Sequence, residues 1–394
     1  MERILNEHEA YIALNMAVGW GPMTVSRLVG ALGSARAVAE AGERDLVAAG
    51  IPPERAMSLR AALDEVDAAS EIARADQRKV DLVTRADPGY PRLLAEIADP
   101  PLVLYVRGSV EALGMRGVAI VGTRHATTYG RETAHRFGYQ LAASGFAVVS
   151  GLARGIDTEA HRGAVQAKGV TIGVLGGALD RFFPRENIEL AASIVQGGGA
   201  VVSEFPFGRE PDKTTFPMRN RIVSGLSRGV VAVEAPPKSG TLITTAQALE
   251  QDRVVMAVPG PVDSASSAGC NQLIRAGARL VASADDVIEE LDDLFADAKS
   301  RPGPSERGRA VQGRASRPPA APSAGTDARG GAPLASLQPD ERKIYEALEA
   351  GPAHVDALVR ATGLPAGKIG ALVTCMQIKH LAKMLPGGLV SRAR

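Results

Sequence analysis

The sequence predicts an α/β protein built on a doubly wound, mostly parallel sheet, with a small all-α module before it and a winged helix after it. Three observations carry that prediction. Short β-branched runs alternate with amphipathic stretches long enough for crossover helices between about 80 and 290. The first 78 residues show helical spacing alone. A stretch of Pro, Gly, Ala, Ser and Arg then separates a last patterned segment from the rest. The expected domains are 1–78, 79–297, a flexible basic linker at 298–335, and 336–394.

In the first domain, apolar residues such as Leu28, Leu32 and Leu46 are punctuated by Gly19, Gly21, Gly33 and Gly50. Gly21-Pro22-Met23-Thr24-Val25 looks like the hairpin of a SAM-like or helix-hairpin-helix module, though a packing turn explains it as well. In the second domain, strands are expected at Leu102–Val106, Val118–Val121, Ala147–Ser150, Thr171–Leu175, Ala200–Ser203, Val230–Val233 and Val254–Val258, with crossover helices such as 129–143 and 241–251. In the linker, Lys299, Arg301, Arg307, Arg309, Arg314, Arg317 and Arg329 face only Glu306 and Asp327. The last domain reads as helices at Asp340–Leu348 and His354–Thr362, a third from Ala366, and a hairpin tip at Leu385–Val390. That third helix is mostly apolar at Ile369, Ala371, Leu372 and Val373, with Lys368, Lys379 and His380 nearby, so packing or protein contact fits it as well as groove reading.

The chain has 394 residues, 45% of them hydrophobic, enough for a large core, and a formal net charge of +1. Affinity for a polyanion must therefore come from local clustering of Lys and Arg. Cys270 and Cys375 have no CxxC or His/Cys ligand spacing, which argues against a zinc site and fits a reducing compartment. No signal-like h-region follows Met1, and no run approaches the ~20 apolar residues of a membrane span. A cytoplasmic protein without metal or cofactor is expected.

Ligands of open parallel sheets bind beyond the carboxyl ends of the strands. Four loops fall there. Val121-Gly122-Thr123-Arg124-His125 combines a glycine that admits a ligand with an arginine able to fork onto a phosphate. Ser150-Gly151-Leu152-Ala153-Arg154-Gly155-Ile156-Asp157 precedes a helix that Asp157 is expected to cap, with His161 one turn on; the glycine spacing is not that of a dinucleotide fingerprint. An acid-base role for Asp157 and His161 competes with a cap and a satisfied core histidine. Thr215–Ser227 is expected to start a helix at Pro217, placing Arg219, Asn220 and Arg221 against the helix dipole, a penalty an anion would relieve. Pro237-Lys238-Ser239-Gly240-Thr241-Leu242 offers free amides at a helix start with Ser239 or Thr241 as cap.

Taken in order, these segments resemble the DNA-processing A (DprA/Smf) family across nearly all of 85–290. Tyr90-Pro91, Asp99-Pro100-Pro101, Gly122-Thr123-Arg124, Ser150-Gly151-Leu152-Ala153, Gly176-Gly177, Pro184 with Asn187, Ser203-Glu204, Phe216–Ser227, Ser239–Thr244, Pro259-Gly260 and Gly269-Cys270-Asn271 carry the likeness, and the Phe216–Ser227 string is the most specific. The resemblance implies an extended Rossmann-like core that dimerises, binds single-stranded DNA in a basic pocket and assists loading of the RecA recombinase during natural transformation. By position it implies phosphate contacts from Gly122, Thr123, Arg124, Ser150, Gly151, Arg185 (often lysine in the family), Lys213, Arg219, Asn220, Arg221, Ser239, Gly240 and Thr241. It implies a homodimer contact through Asn271, Ile274 and Leu280. With aromatic residues at 4% of the chain, little base stacking is expected.

Two other functions compete. Ser239-Gly240-Thr241 with Glu250 faintly echoes the active loop of nucleoside phosphoribohydrolases on related folds, and the winged helix alone would suit a duplex-DNA regulator.

Overall fold

In the computed structural model, the residues described are 5–300, 339–349, 351, 353–364, 369, 372–373, 376, 381–385 and 389–392. One sheet of nine strands organises everything up to residue 300. Its strands are β1 (Asp81–Thr84), β2 (Val103–Gly108), β3 (Gly117–Val121), β4 (Ala147–Ser150), β5 (Thr171–Val174), β6 (Ala200–Ser203), β7 (Gly229–Ala232), β8 (Val254–Ala257) and β9 (Arg279–Leu280). They lie in the order β1-β2-β6-β5-β4-β3-β7-β8-β9. Every pair from β6 to β9 is parallel, whereas β1 and β2 are antiparallel. The seven expected strands form within a residue or two of their predicted ends. β1 and β9 escaped the pattern because one opens on a charged residue and the other is two residues long.

Buried strands explain the β-branched runs: β3 to β7 are covered on both faces, so they read as continuous Val, Ile and Ala. The covering helices are α8 (Thr128–Ala143), α9 (Ile156–Gln166), α10 (Ile188–Gln196), α11 (Thr215–Gly225), α12 (Gly240–Glu250), α13 (Ala268–Arg275) and α14 (Ala284–Ser300). The last of these runs three residues past the expected boundary at 297. The order of strands reverses between β3 and β7, and a crevice opens there above their carboxyl ends.

Six helices form the N-terminal module: α1 (Glu7–Met16), α2 (Pro22–Leu32), α3 (Ala35–Glu40), α4 (Glu43–Ala48), α5 (Pro53–Asp64) and α6 (Ala68–Gln77), with the short α7 (Arg92–Ala95) following β1. Asn6 and Glu9 form a reciprocal capping box on α1, and Gly33 closes α2 in the left-handed conformation. The module shares a core with the sheet, since Tyr11, Leu14 and Leu28 belong to the same apolar cluster as Tyr105, Leu152 and Phe207. Buried Glu71 of α6 locks the join by accepting from the Tyr105 hydroxyl at 3.0 Å and the Phe207 amide at 2.8 Å.

By internal packing the chain divides at Gly308/Arg309. The C-terminal unit contains α15 (Pro339–Ala347), β10 (Ala353–His354), α16 (Val355–Thr362), β11 (Ala382–Leu385) and β12 (Leu389–Arg392), the strands paired β10-β12-β11. This is a winged helix. Ile369, Val373 and Met376 are buried in its core with Ile344 and Leu358, so these apolar residues of the third helix serve packing. Lys368, Lys379, His380, Cys375 and the linker proper from 301 to 335 lie outside the described residues.

Gly138 and Gly163 let α8 and α9 cross closely: a Cβ on Gly163 would stand 2.1 Å from the His135 carbonyl oxygen. Backbone cannot yield there as a side chain would. Gly163→Ala is expected to destabilise by about 1–3 kcal/mol through overpacking, read as a lower urea midpoint; an unchanged midpoint contradicts the crossing.

Candidate functional site: a pocket where the strand order reverses

A cavity of about 310 Å³ lies at that crevice, lined by Gly122–His125 after β3, Gly151 and Ala153 after β4, Phe216–Asn220 except Met218 on α11, and Ser239–Thr241 at the start of α12. A smaller one beside it shares Arg124, Gly151, Phe216 and Arg219 and adds Arg154, Phe183 and Pro184. Three of the four predicted loops thus meet with one face of the α11 segment.

Each wall is held from below. The Thr123 amide donates to the Glu234 carbonyl oxygen at 2.8 Å, tying the β3 loop to the end of β7. The buried Glu234 carboxylate accepts from the Thr127 amide at 3.0 Å and its hydroxyl at 2.6 Å, occupying the N-terminus of α8. Gly130 leaves room for that carboxylate, whose oxygen would lie 2.3 Å from an added Cβ. Asn187 donates to the Leu152 carbonyl oxygen at 2.8 Å and the Thr158 hydroxyl at 2.9 Å. Leu152, fully buried, takes a positive φ of 51°, a costly conformation for a leucine that surrounding structure must impose.

The floor is charged. Arg219 is 4% exposed and donates to the carbonyl oxygens of Gly151 and Val174 at the ends of β4 and β5. Burial lowers its guanidinium to about 10, a shift that Asp157 opposes and Arg124 adds to, so it remains charged at neutral pH. Buried Asp157 accepts from the amides of Gly151 at 3.1 Å and Ala153 at 3.3 Å. Burial raises its carboxyl above the usual range, against the pull of Arg219 and those amides. Gly155, and not Asp157, holds the cap position of α9; Asp157 serves the preceding loop. Buried His161 meets the Thr171 hydroxyl at 2.7 Å, and burial lowers its pKa to about 3, with Arg219 adding to the shift. This is a neutral core histidine beneath the pocket.

The rim is basic and aromatic. Arg124 is exposed and its guanidinium lies 4.9 Å from the Phe216 ring centroid. The Phe216 and Phe183 rings are 6.1 Å apart, and Phe183 is 44% exposed. Arg154 stands 6.0 Å from the Phe183 ring and pairs with Glu186. A stacking surface therefore exists where composition promised little. At the far wall, Ser239 takes the cap position of α12 without a capping bond, its buried hydroxyl having no partner, and open space surrounds Gly240. The first amides of α12 face the cavity without a side chain of their own to satisfy them.

Several expected contacts fall elsewhere. α11 begins at Thr215, two residues before Pro217, which moves Arg219 into the second turn. Its N-terminus already holds an anion: Asp212 accepts from the Thr214 amide at 2.7 Å and the Thr215 amide at 3.0 Å. The Thr214 hydroxyl and amide bonds pull the Asp212 carboxyl down to about 2. Arg221 points away from the pocket into a buried pair with Glu204 at 2.6 Å and Asp99 at 2.8 Å. Ser150 is buried, donating to the Ile120 carbonyl oxygen at 2.6 Å. Exposed Arg185 and Lys213 line neither cavity. Glu250 ends α12, about 15 Å along the helix from Gly240. Of the dimer candidates, Leu280 is 54% exposed on the edge strand β9, Ile274 is half-buried, and Asn271 is bonded through its side chain to the Gly260 amide and carbonyl. Glu234, Phe183 and Phe216 were not among the expected site residues. Among the described residues no helix is long and apolar enough to cross a membrane, and no cluster of three or more His, Cys, Asp or Glu could hold a metal.

Comparison with known proteins agrees with this architecture. The family model for DNA recombination-mediator protein A matches residues 81–292, and that for the DprA winged helix domain matches 317–388. Protein Smf of Synechocystis sp. is 38% identical over 79% of this chain and 80% of its own length. The DNA processing protein DprA of Bacillus subtilis is 41% identical over 56% of this chain and 75% of its own length. The X-ray structure of DNA processing protein A from Streptococcus pneumoniae is similar with a TM-score of 0.64 at 34% identity, covering 73% of this chain and 99% of that one.

The histidine gives a pH signature. Unfolded, it takes up a proton near pH 6.5; folded, only near about 3. Its contribution to stability is present above pH 6.5 and is lost as pH falls toward 3, with a slope of up to about 1.4 kcal/mol per pH unit. Urea unfolding at pH 7, 6, 5 and 4 is expected to show a shallower decline for His161→Asn than for the parent; parallel declines contradict a neutral buried histidine.

Proposed function

Because the chain belongs to the DNA recombination-mediator protein A (DprA/Smf) family, we propose that it binds single-stranded DNA through the backbone in this pocket and assists loading of the RecA recombinase on the bound strand. The observation that carries the reading is the convergence of Arg124, the unsatisfied start of α12 and the buried Arg219 charge on one cavity. A phosphate suits that set: the fork of Arg124 gives directional contacts, the helix amides accept an anion, and Arg219 adds field from a water-poor floor. Phosphate contacts position a strand without reading its bases. Phe183 and Phe216 add faces on which any base can stack, so sequence preference should be slight.

Binding without turnover is the reading best supported. Asp157 and His161 are engaged in the floor, and Glu250 sits far along α12, so the hydrolase-like arrangement lacks its acid at the pocket. A cytoplasmic homodimer is proposed, with β9 and α13 as the contact, on the strength of an edge strand that exposes Leu280 beside Ile274.

Arg124→Ala is expected to weaken oligo-dT binding and to flatten its log-log salt dependence by roughly 0.7 for each phosphate the variant no longer neutralises. Phe183→Ala is expected to weaken binding by about 1–3 kcal/mol with little change in that slope. Fluorescence anisotropy across a salt series checks both, and unchanged affinity and slope in folded Arg124→Ala protein contradicts the pocket. For assembly, Ile274→Glu with Leu280→Glu should yield a monomer by light scattering; a persistent dimer moves the interface elsewhere.

A further inference from the structure

At the amino edge of the sheet, opposite the pocket, three neighbouring strands each begin directly after an arginine. Arg116 precedes β3, Arg228 precedes β7 and Arg253 precedes β8. The ladders pair Val118 with Gly229 and Gly229 with Val254, which sets Arg228 and Arg253 level and Arg116 one residue outward. Adjacent strands lie about 4.8 Å apart, and like charges side by side are unfavourable. Arg92 of α7 joins the row, so that Arg92, Arg116 and Arg228 line a cavity of about 440 Å³ whose lining includes a single carboxylate, Glu96.

The nearby acids do not dissolve the cluster. Glu96 is 3.4 Å from Arg92, Asp292 pairs with Arg116, and Asp252 attracts Arg253. Arg116 also rests over the Phe146 ring at 4.5 Å, and Arg253 donates to the Leu93 carbonyl oxygen at 2.8 Å. Burial, then repulsion from Arg116 and Arg92, lowers the Arg228 pKa despite Glu96. The strand ends bring guanidiniums together at a loss that a bound anion would offset. Planar forks reaching one space from several elements suit a tetrahedral anion with many oxygens better than a flat carboxylate.

We propose that this cavity is a second phosphate-binding site, separate from the first, that takes either a further stretch of nucleic-acid backbone or the phosphates of a free nucleotide. The test uses inorganic pyrophosphate as probe and the full-length chain carrying Arg124→Ala, which disables the first pocket. Thermal unfolding is expected to rise with pyrophosphate concentration. Adding Arg92→Ala should at least halve the rise, and adding Arg116→Gln with Arg228→Gln should abolish it. Arg92 is 94% exposed, so its variant folds even where the double variant does not. No rise in the Arg124→Ala chain, or an undiminished rise in the Arg92→Ala chain, overturns the proposal. A second arm distinguishes the sources: Arg92→Ala in the parent flattens the oligo-dT salt slope if the ligand is backbone, and leaves it unchanged while the pyrophosphate effect falls if the ligand is a free nucleotide. Failure here leaves the Arg124 pocket untouched, since the probe is read with that pocket disabled.

Discussion

A guanidinium buried among backbone carbonyls holds the pocket floor together. Arg219 joins the ends of β4 and β5, its charge partly answered by Asp157, and the loops above are shaped around it. Gly151 is required by that arrangement, because an added Cβ would stand 2.3 Å from the Arg219 Nη1. The same buried charge explains how a chain of net charge +1 presents a local anion site: little water lies between the guanidinium and the cavity to screen it. Removing one partner from such a buried set costs far more than any surface pair. The floor is therefore at once the stability element of this edge and the source of its field.

The reversal of strand order between β3 and β7 sets everything above that floor. It sends α8 and α12 to opposite faces and leaves their starts flanking the crevice. The two starts differ in what they hold. Glu234 fills the N-terminus of α8, and Asp212 does the same for α11. The α12 start has no such carboxylate, and its cap serine is unbonded. One uncapped helix start among capped ones, facing Arg124 across the cavity, gives the site its polarity.

The sheet was legible in the sequence because doubly covered strands write themselves as unbroken Val, Ile and Ala runs, and the loops because glycines mark close approaches. The site was legible only in outline. Arg219 and Arg221 stand two residues apart, about 200° around a helix, so one faces the pocket and the other faces Glu204 and Asp99; adjacency in the string concealed opposite roles. Pro217 suggested a helix start, yet proline is tolerated anywhere in the first turn, where amides lack intrahelical partners, and the true start lies at Thr215. Phe183 and Phe216 are far apart in the chain, and only the fold makes them neighbours.

The most direct measurement of the central claim is a crystal structure of the full-length chain with a short oligo-dT. The account predicts a backbone phosphate within hydrogen-bond reach of Arg124 and the first amides of α12, with a base against Phe183 or Phe216. A strand bound elsewhere, leaving that pocket to solvent, would contradict it.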